Sequence, residues 1–258
     1  RICTMLGIFL LVKSPDDYIL AAFLQACTPL IAGIFSIVWL RKHYTGLFKL
    51  PPMGEIINSY KEGWSIFVSS LAVNLYTATN VVVLGMLTNN VIVGYYSAAD
   101  KLITCVRRGI YAVSDAIYPF ISKMMRDDIP KGLQFIKKQL FLYLIVGLVG
   151  CTSLFFFSDT IVRLLFGADY DLTVDVLRIL SFVPLAVAIS TVFGEETMLP
   201  LNMNSAYSRT LVLGAFFSLI SIFPLCYLWG AKGVAITMLL TEFLIMSIMG
   251  GLLRKQLF

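Results

Sequence analysis

Apolar runs of about twenty residues follow one another along this chain of 258 residues. As a helix, each such run is long enough to cross about 30 Å of hydrocarbon. In hydrocarbon every backbone polar group needs a partner within the protein, which leaves helices or closed barrels. A barrel would show alternating segments of about ten residues instead, and none is visible. The pattern therefore predicts an all-α fold, a polytopic transmembrane helix bundle. Charged residues make up only 14% of the sequence, against roughly 25% in soluble domains.

The hydropathy places spans at about 1–12, 18–40, 64–86, 92–121, 139–157, 174–193, 207–228 and 233–252. The run from Ile2 to Val12 is too short to cross alone, and the first residue is Arg1. It reads as the tail of a helix that begins upstream, so the chain is expected to be part of a longer membrane domain. No signal peptide is visible. Basic residues fall on alternate loops. One set holds Arg1, Arg41, Lys42, Lys49, Lys61, Lys123, Arg126, Lys131, Lys137, Lys138, Arg209, Arg254 and Lys255, and the other only Lys13, Arg163 and Lys232. The first set is expected to be cytoplasmic, with eight crossings and a cytoplasmic C-terminus. Glu195 and Glu196 fall in one of these inside loops, and the longest outside loop is expected near 158–173. Loops this short leave no room for an extramembrane domain, so residues 1–258 read as one membrane domain. Pro29, Pro119, Pro184 and Pro224 fall within spans, as kinks or hinges.

One span departs from this apolar rule. Residues 94–120 read GYYSAADKLITCVRRGIYAVSDAIYPF, with Asp100, Lys101, Arg107, Arg108 and Asp115 inside a predicted helix. At about 100° per residue, these charges share an arc of about 120° with Ser97, Thr104, Tyr111 and Tyr118. The other face carries Leu102, Ile103, Val106, Ile110, Val113 and Ile117. Five charges in lipid would cost roughly 12–18 kcal/mol, and the apolar residues of the span return only about 3–6. The charged face must then look into the bundle or a wet cavity. No two opposite charges stand three or four residues apart, so partners must come from other helices, water or a ligand. Arg107 and Arg108 suit phosphate, because guanidinium presents a fork of donors.

Other polar residues lie inside spans. Ser70, Asn74 and Thr77 share one face and are expected to bond between helices. Glu242 stands mid-way along the last span, as a proton site or as the partner of a buried arginine. Arg178 is expected to snorkel to the outer surface. The five cysteines all fall in apolar spans with no metal or disulfide spacing, and the single histidine, His43, lies in a basic loop. No Walker A sequence, H-E-x-x-H or nucleophile elbow is present. The chain is therefore not expected to be an enzyme, or to hold a metal or cofactor.

Three stretches carry a family likeness. They are VVVLGMLTNNVIVGYYSAADKL (81–102), IVRLLFGADYDLTVDVLRILS (161–181) and WGAKGVAITMLLTE (229–242). In order and spacing they resemble the C-terminal two-thirds of the O-antigen flippases of the Wzx type. These belong to the multidrug/oligosaccharidyl-lipid/polysaccharide exporter superfamily. The resemblance implies a twelve-helix transporter of two lobes in the bacterial inner membrane, of which these spans would be the fifth to twelfth. It implies flipping of an undecaprenyl-pyrophosphate-linked oligosaccharide by alternating access, driven by an ion gradient as in an antiporter. A polysaccharide polymerase and a chain-length regulator are the implied protein partners, and nucleic acid is not one.

On that reading Arg107, Arg108, Lys101, Asp100, Asp115, Tyr111 and Asn74 are expected along the substrate path. Glu242 and Asp115 are the candidates for the coupling ion. The rival readings are a multidrug exporter of the same superfamily, a membrane glycan polymerase and a membrane component that transports nothing. A multidrug exporter is expected to have a more apolar cavity, and a polymerase a large external loop.

Overall fold

The computed structural model describes residues 2–12, 17–43 and 51–257. Arg1, Lys13 and Lys49, three of the loop cations, lie outside these residues. Among the described residues nine α-helices follow in chain order: α1 (Ile2–Leu11), α2 (Tyr18–His43), α3 (Met53–Leu87), α4 (Asn90–Asp127), α5 (Ile129–Phe166), α6 (Asp171–Leu180), α7 (Val183–Phe193), α8 (Asn204–Trp229) and α9 (Ala231–Leu257). A π-helical turn, Gly194–Met198, continues α7. No strand occurs among the described residues.

Among the described residues six segments are long and apolar enough to cross a membrane: Ile19–His43, Gly63–Leu87, Ile129–Phe166, Asp171–Met198, Asn204–Trp229 and Ala231–Arg254. The chain is a multi-pass membrane protein. Of the eight expected spans, α1 is only 10 residues long. The charged helix α4 is long enough at 38 residues, but its charges keep it outside an apolar criterion.

Two expectations of the topology change. The span drawn at 174–193 is two helices, α6 and α7, separated at Ser181 and Phe182. Pro184 lies in the first turn of α7, where a missing N–H leaves no intrahelical bond unmade. It begins a helix rather than kinking one. The long outside loop near 158–173 shrinks to residues 167–170, because α5 continues to Phe166.

By internal packing the chain divides into residues 1–59 and 60–258. In the first unit, α1 and α2 pack together and the Thr4 and Thr28 hydroxyls bond to each other. The flank of α2 is apolar and exposed, with Leu30, Ile31, Ile34 and Phe35 all open.

The second unit holds two apolar cores. One gathers Leu84, Tyr96, Ile103, Leu177, Val187 and Met238. The other gathers Tyr76, Ile121, Ile136, Met198, Ile245 and Met249. Each long helix of this unit contributes to both, and buried polar residues fall between the two contributions. On α4 they include Arg107 and Ser114, and on α9 they include Thr241 and Glu242. Lipid tails are as apolar as leucine, so close packing rather than expulsion from water holds such helices together. The α8–α9 pair shows how. Gly230 turns the chain between them at φ 55. At Gly233 a Cβ would overlap the Leu225 carbonyl, so only glycine lets the two backbones approach. This accounts for the glycines of the WGAKG stretch.

Candidate functional site

Helix α4 carries the site. Asn89 starts it, its side chain accepting from the Ile92 N–H at 3.0 Å. The helix runs uninterrupted to Asp127, so the polar arc read from the sequence is a real stripe. Its apolar back is partly open to the surroundings, with Val106 and Val113 exposed.

The stripe faces a cavity of about 980 Å³. Helix α4 contributes Thr104, Arg107, Arg108, Tyr111, Ser114, Asp115 and Tyr118 to its wall. Helix α3 faces them with Ser69, Ser70, Asn74 and Thr77, and Glu195 and Tyr207 complete the polar lining. Five of the expected path residues thus share one cavity: Arg107, Arg108, Tyr111, Asp115 and Asn74. Asp100 is half-buried and Lys101 exposed, and neither lines it.

Arg107 is the buried cation of the stripe. Its guanidinium lies 3.7 Å from a Glu242 carboxylate oxygen, with Glu242 3% exposed. The Tyr76 hydroxyl donates to the same oxygen at 2.9 Å. So Glu242 is the interhelical partner that the spacing of α4 demanded. Arg108 has no carboxylate partner among the described residues and stands open at the cavity wall. Behind Tyr111 a second cavity of about 50 Å³ lies between Glu242, Glu195, Tyr76 and Tyr207. That is room for water.

Three sequence expectations are corrected here. Glu195 and Glu196 are not loop residues. The π turn, in which the Leu199 N–H reaches the Gly194 carbonyl at 3.1 Å, holds both inside the bundle. Glu195 faces the cavity and Glu196 is fully buried. Ser114 donates to Glu196 Oε1 and Gln139 Nε2 to Oε2, each at 2.6 Å. Second, Asn74 and Thr77 bond within α3, to the Ser70 and Val73 carbonyls at 2.8 Å, rather than to another helix. Their helix borders open space on that side. Third, Arg178 does not snorkel free, because its Nε donates to the buried Ser158 hydroxyl at 3.1 Å.

The site therefore offers two guanidinium groups, two wall carboxylates, hydroxyls, an amide and tyrosine rings around one large space. No group of three histidine, cysteine, aspartate or glutamate residues among the described residues is placed to hold a metal ion. Such a lining presents charges of both signs and hydrogen-bonding groups to a bulky polar ligand. Guanidinium groups fork onto phosphate oxygens, while short polar side chains and carboxylates bond hydroxyls.

Residues 1–125 match the family described as "Polysaccharide biosynthesis protein". The chain is also 32% identical over 241 residues to a Shigella dysenteriae protein curated as "Putative O-antigen transporter". A protein of the same name from Escherichia coli (strain K12) is 31% identical over 249 residues. Over these stretches the chain is similar to that family and to both curated relatives. These alignments cover 93% and 96% of the chain but 60% of each relative, so it spans somewhat under two thirds of their length. No solved structure matches it. The family match takes in α1 to α3 and nearly all of α4, and so Asn74, Arg107, Arg108, Tyr111 and Asp115. The remaining carboxylates of the site, Glu195, Glu196 and Glu242, lie beyond that match.

Proposed function

We propose that this protein moves an anionic, lipid-linked oligosaccharide, of the O-antigen class, across the bacterial inner membrane. The observation that carries the reading is the cavity of about 980 Å³ faced by Arg107 and Arg108. Undecaprenyl pyrophosphate bears charge that hydrocarbon excludes, and its sugars bear hydroxyls that need partners. A cavity that sets guanidinium groups beside hydroxyls, an amide and carboxylates supplies both. The names of the two relatives point the same way. A multidrug exporter fits less well, because its cavity would be expected to be more apolar.

In this reading the pyrophosphate lies against Arg108 and competes with Glu242 for Arg107. The sugar lies among Ser70, Asn74, Tyr111 and Asp115. Asp100 and Lys101 meet it nearer the outer leaflet, beyond the cavity. The chain crosses the membrane eight times as part of a twelve-helix transporter with a cytoplasmic C-terminus, and the cavity opens to the two sides in turn. An ion gradient drives the cycle, with Glu242 or Asp115 as an ion-binding group. The reaction is movement, with no covalent step.

The test uses the full chain in a strain lacking its own flippase. Arg107 and Arg108 are replaced singly by Ala and by Lys, membrane levels are matched, and surface polysaccharide is scored. Loss with Ala and partial recovery with Lys is the expected result. Undiminished polysaccharide from all four variants would overturn the cationic path and leave the stripe as packing.

A further inference from the structure

The cavity reading leaves one buried acid unused. Glu196 is 0% exposed and no cation pairs with it among the described residues. Both of its oxygens are met by neutral donors, Ser114 and Gln139. A full negative charge in this position is costly unless something positive neutralises it. Its neighbours are also incompletely bonded. Gln139, itself 6% exposed, donates to Glu196 through Nε2, yet its Oε1 has no partner. The Tyr143 hydroxyl, one turn further along α5, is buried and faces Gln139 without reaching full hydrogen-bond geometry.

We infer that Glu196 is a proton-binding site, loaded from the cavity through the Ser114 hydroxyl. Ser114 both lines the cavity and bonds Glu196, so among the described residues it links the cavity to the acid. A proton arriving at Ser114 Oγ from cavity water lets the serine pass its own hydrogen to Glu196 Oε1. The new O–H bond on the acid replaces the one broken on serine, and the net gain is one proton. A half-turn of the carboxyl group then brings that hydrogen to the Gln139 side. If the Gln139 amide turns over, its Oε1 accepts from the acid and its Nε2 is free to reach the Tyr143 oxygen. The neutral acid thereby supplies partners to both groups that lack them when Glu196 is ionised. A metal ion fits less well, since the donors already lie 2.6 Å from both carboxylate oxygens and leave no gap between.

The charged and titratable groups around Glu196 are few. The π turn adds Glu195, which faces the cavity near Asp115 of α4 and Tyr207 of α8. Helix α5 adds Tyr143, and α7 has no titratable side chain. All are acids or phenols, so none supplies the missing positive charge. A role for this proton in driving transport rests on the function proposed above, whereas the site itself does not.

Infrared difference spectroscopy of the purified full chain, titrated from alkaline to acidic pH without added substrate, reads the site directly. The expected result is a protonated-carboxyl C=O band that grows on acidification and is lost in Glu196→Gln. It should persist in Glu242→Gln. In Ser114→Ala and Gln139→Leu, which keep the acid, the band should shift as a hydrogen bond is removed, so the test survives if Glu196→Gln fails to fold. A spectrum unchanged by Glu196→Gln and by both neighbour variants would overturn the assignment. So would a signal that responds to sodium at constant pH and not to protons. Because no export is measured, such a failure leaves the Arg107 and Arg108 test standing, and the reverse holds as well.

Discussion

Arg107 and Arg108 are adjacent in sequence, yet they occupy different physical situations. Arg107 is buried against Glu242, while Arg108 stands at the wall of the cavity without a carboxylate. Removing one member of a buried pair strands the other, at about 3–5 kcal/mol. Arg107→Ala is therefore expected to lower the thermal midpoint of the purified protein. Arg107→Ala combined with Glu242→Ala should recover part of that loss, since the stranded charge is gone. Arg108→Ala should change stability by no more than about 0.5 kcal/mol, as for open positions generally. Thermal unfolding in detergent measures all three. If Arg108→Ala proves as destabilising as Arg107→Ala, the two side chains are not in the different environments described.

At the scale of the element, glycine position separates packing from composition. Gly233 lies where α9 crosses the backbone of α8, and a side chain there overlaps the Leu225 carbonyl. Gly251, on the same helix, has open space around it. Gly233→Ala should destabilise by about 1–3 kcal/mol, the range for overpacking. Gly251→Ala should be neutral or stabilising by up to about 1 kcal/mol, because it stiffens the unfolded chain. Equal midpoints for the two variants would contradict the close crossing.

Both glycines look alike in the sequence, which marks the limit of local reading. Each long helix among the described residues contains an apolar run visible in the sequence, because length and apolarity are local properties. The polar stripe of α4 was legible too, since periodicity within one helix fixes which residues share a face. The break at Ser181 and the burial of Glu196 were not legible. Glu196 owes its setting to Ser114 and Gln139, 82 and 57 residues away. A pair of glutamates after an apolar run looks like a loop unless those distant donors are known.

For the molecule as a whole, the two ends of residues 60–258 differ in how their charges are held. At one end Arg163 pairs with Asp159 and Asp171, and Lys232 with Asp175. At the other, Lys123, Arg126, Lys131, Lys137 and Lys138 crowd the α4–α5 connection, with Asp128 bonded to Lys131. Free basic clusters stay on the cytoplasmic side during insertion. In a background with the native cysteines replaced, Asp169→Cys should react with an impermeant maleimide in intact cells. Lys131→Cys should react only once the membrane is opened. The reverse pattern would invert the proposed topology. Thr77→Cys, on the cavity wall, carries the argument one step further. If the cavity opens to each side in turn, reagent applied to either side reaches this position, and added substrate shifts the balance of the two rates. Labelling from one side alone, unmoved by substrate, would mean a cavity with a single mouth, and alternating access would have to be abandoned while the cationic lining remained.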